Sequence, residues 1–132
     1  FKESQPVKLK FNNHEIKEFP MSMNSFFGTR FTTTGGGYFR FFPYSLIRAL
    51  VEKSEYTMTY FHPRDFDPNQ PVLEGLSLKR KFKSYYNLSG AYSKFKQLVK
   101  DFNFIDIRQA DKLIDWEKVP IVNIDKDGNC FK

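Results

Sequence analysis

Three consecutive glycines, Gly35-Gly36-Gly37, run straight into Tyr38-Phe39-Arg40-Phe41-Phe42-Pro43-Tyr44, and no other feature constrains the fold of this chain as much. A backbone without Cβ atoms takes positive φ freely and can lie against another group at short range, so the run is expected where a ligand comes close. Upstream, Met21 to Thr34 shows no hydrophobic period, which predicts a long loop, and long loops in compact domains often carry function. Downstream, Pro43 suits the first position of a helix. Leu46, Ile47, Leu50 and Val51 then recur at helical spacing while Arg48, Glu52 and Lys53 face away.

The flanks read as a succession of strands and helices. Val7 to Phe11 and Glu15 to Phe19 alternate apolar and polar residues around Asn12-Asn13, a pair that tolerates positive φ, so a β-hairpin with one buried face is predicted. Tyr56 to Phe61 is rich in β-branched and aromatic residues and stops at His62-Pro63, which reads as a strand covered on both faces. Arg64 to Leu76, with Pro68, Pro71 and Gly75, is loop. From Ser89 or Gly90 onward Tyr92, Phe95, Leu98, Val99 and Phe102 trace one face of a helix, with Lys94, Lys96 and Lys100 opposite. Phe104 to Ile107 reads as a short strand and Gln109 to Asp115 as a short helix. The tail 116–132 offers Ile121-Val122 as an added strand. Alternation of strands and helices argues for an α/β fold with a parallel sheet or part of a βα barrel, with 1–132 as a single segment.

Composition narrows the class of protein. Aromatic residues make up 18% of the 132, sixteen of them Phe, more than a core of this size needs, so some are expected to line a surface groove. The net charge of +6 invites a nucleic-acid reading, but the cations are spread along the chain apart from Lys79, Arg80, Lys81 and Lys83, and no nucleic-acid motif accompanies them. No nucleic-acid partner is expected, and the basic run reads as the solvated start of a helix. A lone Cys130 makes no intrachain disulfide. No apolar run reaches the roughly 18–20 residues of a membrane span. Residue 1 is Phe rather than Met, so the chain is expected to be processed or a piece of a longer protein.

Two histidines are available for acid–base chemistry. His14 follows the hairpin turn and reads as exposed and inert. His62 ends the predicted strand, the edge at which ligands gather in α/β folds, and an imidazole titrates near neutrality. The residues alone leave two roles open for it: a hydrogen-bonded side chain capping the strand, or a proton donor. Asp65 and Asp67 can orient it, bind a hydroxyl or simply start a turn. Arg40 can form a bidentate pair with a carboxylate, or serve as a surface or strand-pairing residue. The glycines lack the Gly-Lys-Ser/Thr ending of a phosphate loop and the spacing of a dinucleotide site. There is no His/Cys/Asp/Glu cluster at metal-ligand spacing, and Asp125 to Asn129 lacks the later Glu of a calcium loop.

In order along the chain stand Gly-Gly-Gly-Tyr-Phe-Arg-x-x-Pro-Tyr at 35–44, Tyr-Phe-His-Pro at 60–63, Asp67-Pro68 with Gln70-Pro71, Phe82-x-x-Tyr85-x-Asn87-Leu88, and Asp101-Phe102. From about Glu18 to Leu113 this series resembles the C-terminal part of bacterial polysaccharide deacetylases of the NodB-homology type, exopolysaccharide-associated. The resemblance implies the C-terminal portion of a distorted (β/α) barrel, preceded here by the β-hairpin. It implies a divalent metal, usually zinc, held by an Asp and two His, with a second Asp as base. Those belong to an N-terminal half not found in this chain, which alone should be inactive. His62 resembles the family's general acid. Arg40, Tyr38, Phe39, Tyr44 and Asp65 would then wall or orient a groove for an N- or O-acetylated polysaccharide. Arg64, Asp65 and Ser84 stand where relatives commonly carry Trp, Glu and His. Two other readings remain: a noncatalytic carbohydrate-binding or interaction module that kept the fold, and an anionic-polymer binder using Lys79 to Lys83. An incomplete barrel would leave strand edges open, so the fragment is also expected to be able to dimerise.

Overall fold

A computed structural model describes residues 4–26, 28–125 and 130–131. The chain divides into two compact units, one formed by Phe1–Met21 with Phe104–Lys132 and the other by Ser22–Asn103. Both mix helices with small sheets, giving an α/β fold.

In the first unit β1 (Val7–Phe11) and β2 (His14–Glu18) form the expected antiparallel hairpin, with Leu9 opposite Ile16 and Asn12 at φ 52° in the turn. β5 (Ile121–Ile124) lies parallel to β1, and β6 (Cys130–Phe131) pairs antiparallel with β5. The sheet order is β2-β1-β5-β6, so β1 is internal. The expected single buried face does not form. Val7 and Val122 are buried, but so is Lys8, which pairs with Glu15 and Glu117, whereas Ile16 on the edge strand is 60% exposed. The strand predicted at Phe104 to Ile107 is absent. Asp106 instead caps α5 (Ile107–Leu113), accepting from the Gln109 N–H at 2.8 Å while Gln109 reaches back to the Asp106 N–H. That Asp-x-x-Gln capping box is a helix-start signal in the sequence itself. Lys17 on β2 reaches Asp111 on α5 at 2.8 Å and lies over the Trp116 ring. Asp111 is thereby held below the usual carboxylate range, chiefly by the Lys17 hydrogen bond.

The second unit begins where a loop was expected and contains a hairpin, β3 (Asn24–Phe26) with β4 (Thr29–Phe31). Two helices follow, α1 (Gly36–Phe41) and α2 (Tyr44–Glu52), with Pro43 just outside the second. Residues 56–61 run extended but form no strand. One parallel bridge joins Gly35 to Tyr60, and hydroxyls do the rest: Met58 N–H donates to Ser22 Oγ and Thr34 Oγ1 donates to the Met58 carbonyl. Side-chain oxygens therefore take the backbone groups that a neighbouring strand would have taken. After a 3-10 turn at Pro63–Phe66 come α3 (Leu78–Tyr85) and α4 (Leu88–Asp101), separated by Asn87 at φ 48°. Phe39, Ile47 and Leu98 form the core, surrounded by Phe42, Tyr44, Val51, Phe61, Phe95 and Phe102. Parallel pairing among the described residues is limited to β1–β5 and the Gly35–Tyr60 bridge, and no (β/α) barrel is formed by them.

Candidate functional site

The glycine run that was expected to admit a ligand is filled by the chain's own backbone. A Cβ on Gly35 would stand 2.3 Å from the Tyr60 carbonyl oxygen, and one on Gly37 would stand 2.6 Å from that of Lys83. Gly35 thus lets the extended segment 56–60 lie against the start of α1, and Gly37 lets α1 meet α3 at backbone distance. Gly36 is at φ +55°, which positions the first turn of α1 between these contacts.

That close approach carries Arg40, in the last turn of α1, into the interior, where it is 2% exposed. All three of its guanidinium nitrogens donate. Nη1 donates to Asp65 Oδ1, Nη2 to the carbonyls of Lys83 (2.7 Å) and Ser84 (3.3 Å), and Nε to the carbonyl of Tyr86 (3.0 Å). A cation at the C-terminal carbonyls of α3 also meets the negative end of the helix dipole. The same device recurs one layer away. Lys94 from α4 donates to the carbonyls of Phe39, Arg40 and Phe42 at 2.7–3.1 Å, closing the end of α1, and burial lowers its pKa. Sequence periodicity had placed Lys94 on a solvated face.

Asp65 is the link from this buried cation to His62. Its second oxygen accepts the His62 backbone N–H at 2.9 Å, while its own N–H donates to the His62 carbonyl at 2.9 Å. With 8% exposure and both oxygens taken, Asp65 orients the turn rather than facing a ligand. His62 itself is exposed, and its ring packs edge-on against Tyr60 with centroids 4.8 Å apart. The loop beyond is tied down by its own polar groups. Gln70 Nε2 donates to the carbonyls of Arg64 and Asp67, and the Tyr85 hydroxyl bridges Leu73 N–H and the Pro71 carbonyl. The backbone at His62 is therefore fixed from within while the imidazole stays open to solvent.

The aromatic residues expected to line a groove divide differently. Phe39 is 1% exposed in the core and cannot wall a groove, because its position on α1 turns it toward Ile47, Leu98 and Phe61. Tyr38 is half-buried among Phe31 and Phe42, with the Lys83 ammonium 5.0 Å from its ring centroid. Tyr44 opens α2, where it packs at the edge of the Phe39–Ile47–Leu98 core. Its hydroxyl donates to Asp101 at 2.7 Å, and burial, then that hydrogen bond, push its pKa up to about 12. With Ser45, Arg48, Ala49, Glu52, Gln97 and Asp101 it borders an open cleft of about 500 Å³ between α2 and α4. Other rings are exposed, Tyr60 and Tyr92 at 51% and 54% among them. Phe41, Phe82 and Tyr86 are 49%, 45% and 41% exposed, and only the high aromatic fraction hinted at them.

Arg40 and Asp65 are thus brought together, His62 is attached to them through its backbone, and Tyr38 lies near by way of Lys83, while Tyr44 stands apart. Among the described residues no three His, Cys, Asp or Glu side chains converge to hold a metal ion. Residues 126–129, most of the segment compared above with a calcium loop, lie outside those described.

No curated protein and no solved structure matches the chain. One family model does, and it covers residues 2–112, from before the hairpin through the Arg40–Asp65–His62 network to α5. The chain therefore belongs to the family described as Domain of unknown function (DUF3473).

Proposed function

We propose that this chain is the C-terminal part of a polysaccharide deacetylase, with His62 as the general acid of its reaction on an acetylated glycan. The observation that carries the reading is the exposed imidazole on a backbone fixed by the buried Arg40–Asp65 pair. The ordered motifs from Gly35 to Phe102 support it, as does the occurrence of this family's domain at the C-terminus of polysaccharide deacetylases. In the proposed step the protonated imidazole gives its N–H proton to the departing amine nitrogen as the C–N bond breaks, and is left neutral. The barrel relationship, the zinc or other divalent ion and the catalytic base belong, on this proposal, to the remainder of the same protein. Arg40 and Asp65 are positioning residues that hold the end of the extended segment from which the imidazole projects.

Replacing His62 by Ala in the full-length enzyme tests the assignment. We expect kcat for release of acetate from an acetylated oligosaccharide to fall by about 10²–10⁴, the usual contribution of such a group, with bound metal unchanged. Unchanged turnover would remove His62 from the reaction.

A further inference from the structure

The net positive charge of this chain comes from one stretch of its sequence. Between Gly75 and Lys100 stand seven cations, Lys79, Arg80, Lys81, Lys83, Lys94, Lys96 and Lys100, and not one Asp or Glu, so this stretch accounts for the whole excess of the +6 chain. It folds as α3 and α4. Lys94 is occupied by the carbonyls at the end of α1. Lys79, Arg80 and Lys81 are exposed, and among the described residues no carboxylate pairs with them.

The same helix presents rings. α3 buries no side chain, which is unusual for a helix with a strong apolar face. Phe82 and Tyr86, one turn apart, pack tilted against each other with centroids at 4.6 Å, and Phe41 of α1 closes on both at 5.7 and 6.0 Å. Leu78 continues the row and is 87% exposed. Lys79 and Lys83 stand on the adjoining row of the helix, flanking Phe82 at three and one residues' distance in sequence. A contiguous apolar surface with a charged rim marks an interaction site.

We propose that this α1–α3 face binds an anionic polysaccharide, one whose sugars carry carboxylates. The partial negative charge of aromatic faces attracts the C–H bonds of a pyranose ring, and the ammonium groups alongside, Lys79 with no carboxylate partner among the described residues and Lys83 over the Tyr38 ring, attract carboxylates. A nucleic acid fits less well, because Phe82 and Tyr86 lie against each other and leave no slot into which a base could stack. A membrane surface fits less well too, because the rings pack together rather than project, and α3 has only eight residues. In naming a glycan the proposal rests on the deacetylase reading, and it adds the acidic class of that glycan and a surface separate from His62.

The experiment measures equilibrium binding to the full-length protein by calorimetry, without turnover. The probes are polygalacturonate, neutral dextran, oligothymidylate and anionic phospholipid vesicles. Polygalacturonate is expected to bind best and to weaken at least tenfold when salt rises from low to several hundred millimolar, as screening of exposed charges requires. Lys79→Glu with Lys83→Glu should lower affinity at least tenfold, and Phe82→Ala at least threefold with the fold checked by circular dichroism. Should Phe82→Ala fail to fold, Lys79→Glu alone, on an exposed helix surface, is expected to cost about threefold. Failure of polygalacturonate to bind, equal binding of dextran, tighter binding of oligothymidylate or vesicles, or indifference to charge reversal would each overturn the proposal. Loss of turnover in His62→Ala together with no polygalacturonate binding defeats this inference alone. Retained turnover in His62→Ala together with polygalacturonate binding removes His62 from the reaction and leaves this inference standing, whereas a full-length protein that binds polygalacturonate but releases no acetate from an acetylated oligosaccharide defeats the deacetylase reading alone.

Discussion

Replacing Arg40 by Met removes the charge from the centre of the second unit while keeping most of the side chain's volume. Four acceptors lose their donor: Asp65 and the carbonyls of Lys83, Ser84 and Tyr86. Lys83 and Tyr86 are exposed residues, so water can replace part of what their carbonyls lose. Asp65 is only 8% exposed and keeps a single hydrogen bond to its side chain, from the His62 N–H, so the stranded carboxylate dominates. Removing one partner of a buried ion pair costs about 3–5 kcal/mol, a large share of the roughly 5–15 kcal/mol that holds an ordinary domain together. For a chain of this length about 4 kcal/mol lowers Tm by roughly 15 °C. Asp65→Asn should be milder. Arg40 then keeps three carbonyl acceptors, the amide oxygen can still accept, and the loss is one charge-assisted bond, about 2 kcal/mol. Urea unfolding followed by far-ultraviolet circular dichroism measures both. An Arg40→Met cost below about 1 kcal/mol, or an Asp65→Asn cost larger than that of Arg40→Met, would refute the reasoning that a buried guanidinium with four acceptors organises this unit.

Gly37→Ala should destabilise by about 1–3 kcal/mol, because its Cβ would press the Lys83 carbonyl and force α1 from α3; a chemical-denaturation midpoint equal to that of the parent would count against the contact. Tyr44 has its pKa raised from the ordinary 10.0 to about 12, so the folded state favours its protonated form. The stability this supplies is complete below pH 10 and is lost as pH rises toward 12, and Tyr44→Phe should remove both that loss and a late-titrating tyrosine from a 295 nm absorbance titration. Asp111 has its pKa lowered, so its contribution is present at neutral pH and is lost as pH falls through the depressed folded value. Lys17→Met should move the Asp111 carboxyl titration, followed by NMR, back toward 3.8.

The β1–β2 hairpin, α2 and α4 were legible because each is encoded locally, in alternation about Asn12-Asn13 or in apolar residues at helical spacing. α5 was legible too, through Asp106 and Gln109, but its capping box was read across as a strand. What periodicity does not carry is which atom lies opposite which. Arg40 finds Asp65 at 25 residues' separation, Lys83 at 43 and Tyr86 at 46, and no local pattern distinguishes that destiny from a surface arginine. The same holds for segment 56–61, whose β-rich composition promised a strand but whose neighbours supply hydroxyls instead of a ladder. In the Phe39-Arg40-Phe41 triplet, helical geometry turns two residues into the core and leaves the third 49% exposed.

By itself the sequence determined the local vocabulary of this protein: where the backbone must be free of Cβ atoms, where helices begin, and that His62 stands at the end of an extended run. Tertiary structure alone decided what the glycines are for. The space they open is taken by the Tyr60 and Lys83 carbonyls, because a missing Cβ permits close approach without naming the neighbour, and the neighbour comes from chain that lies far away in sequence.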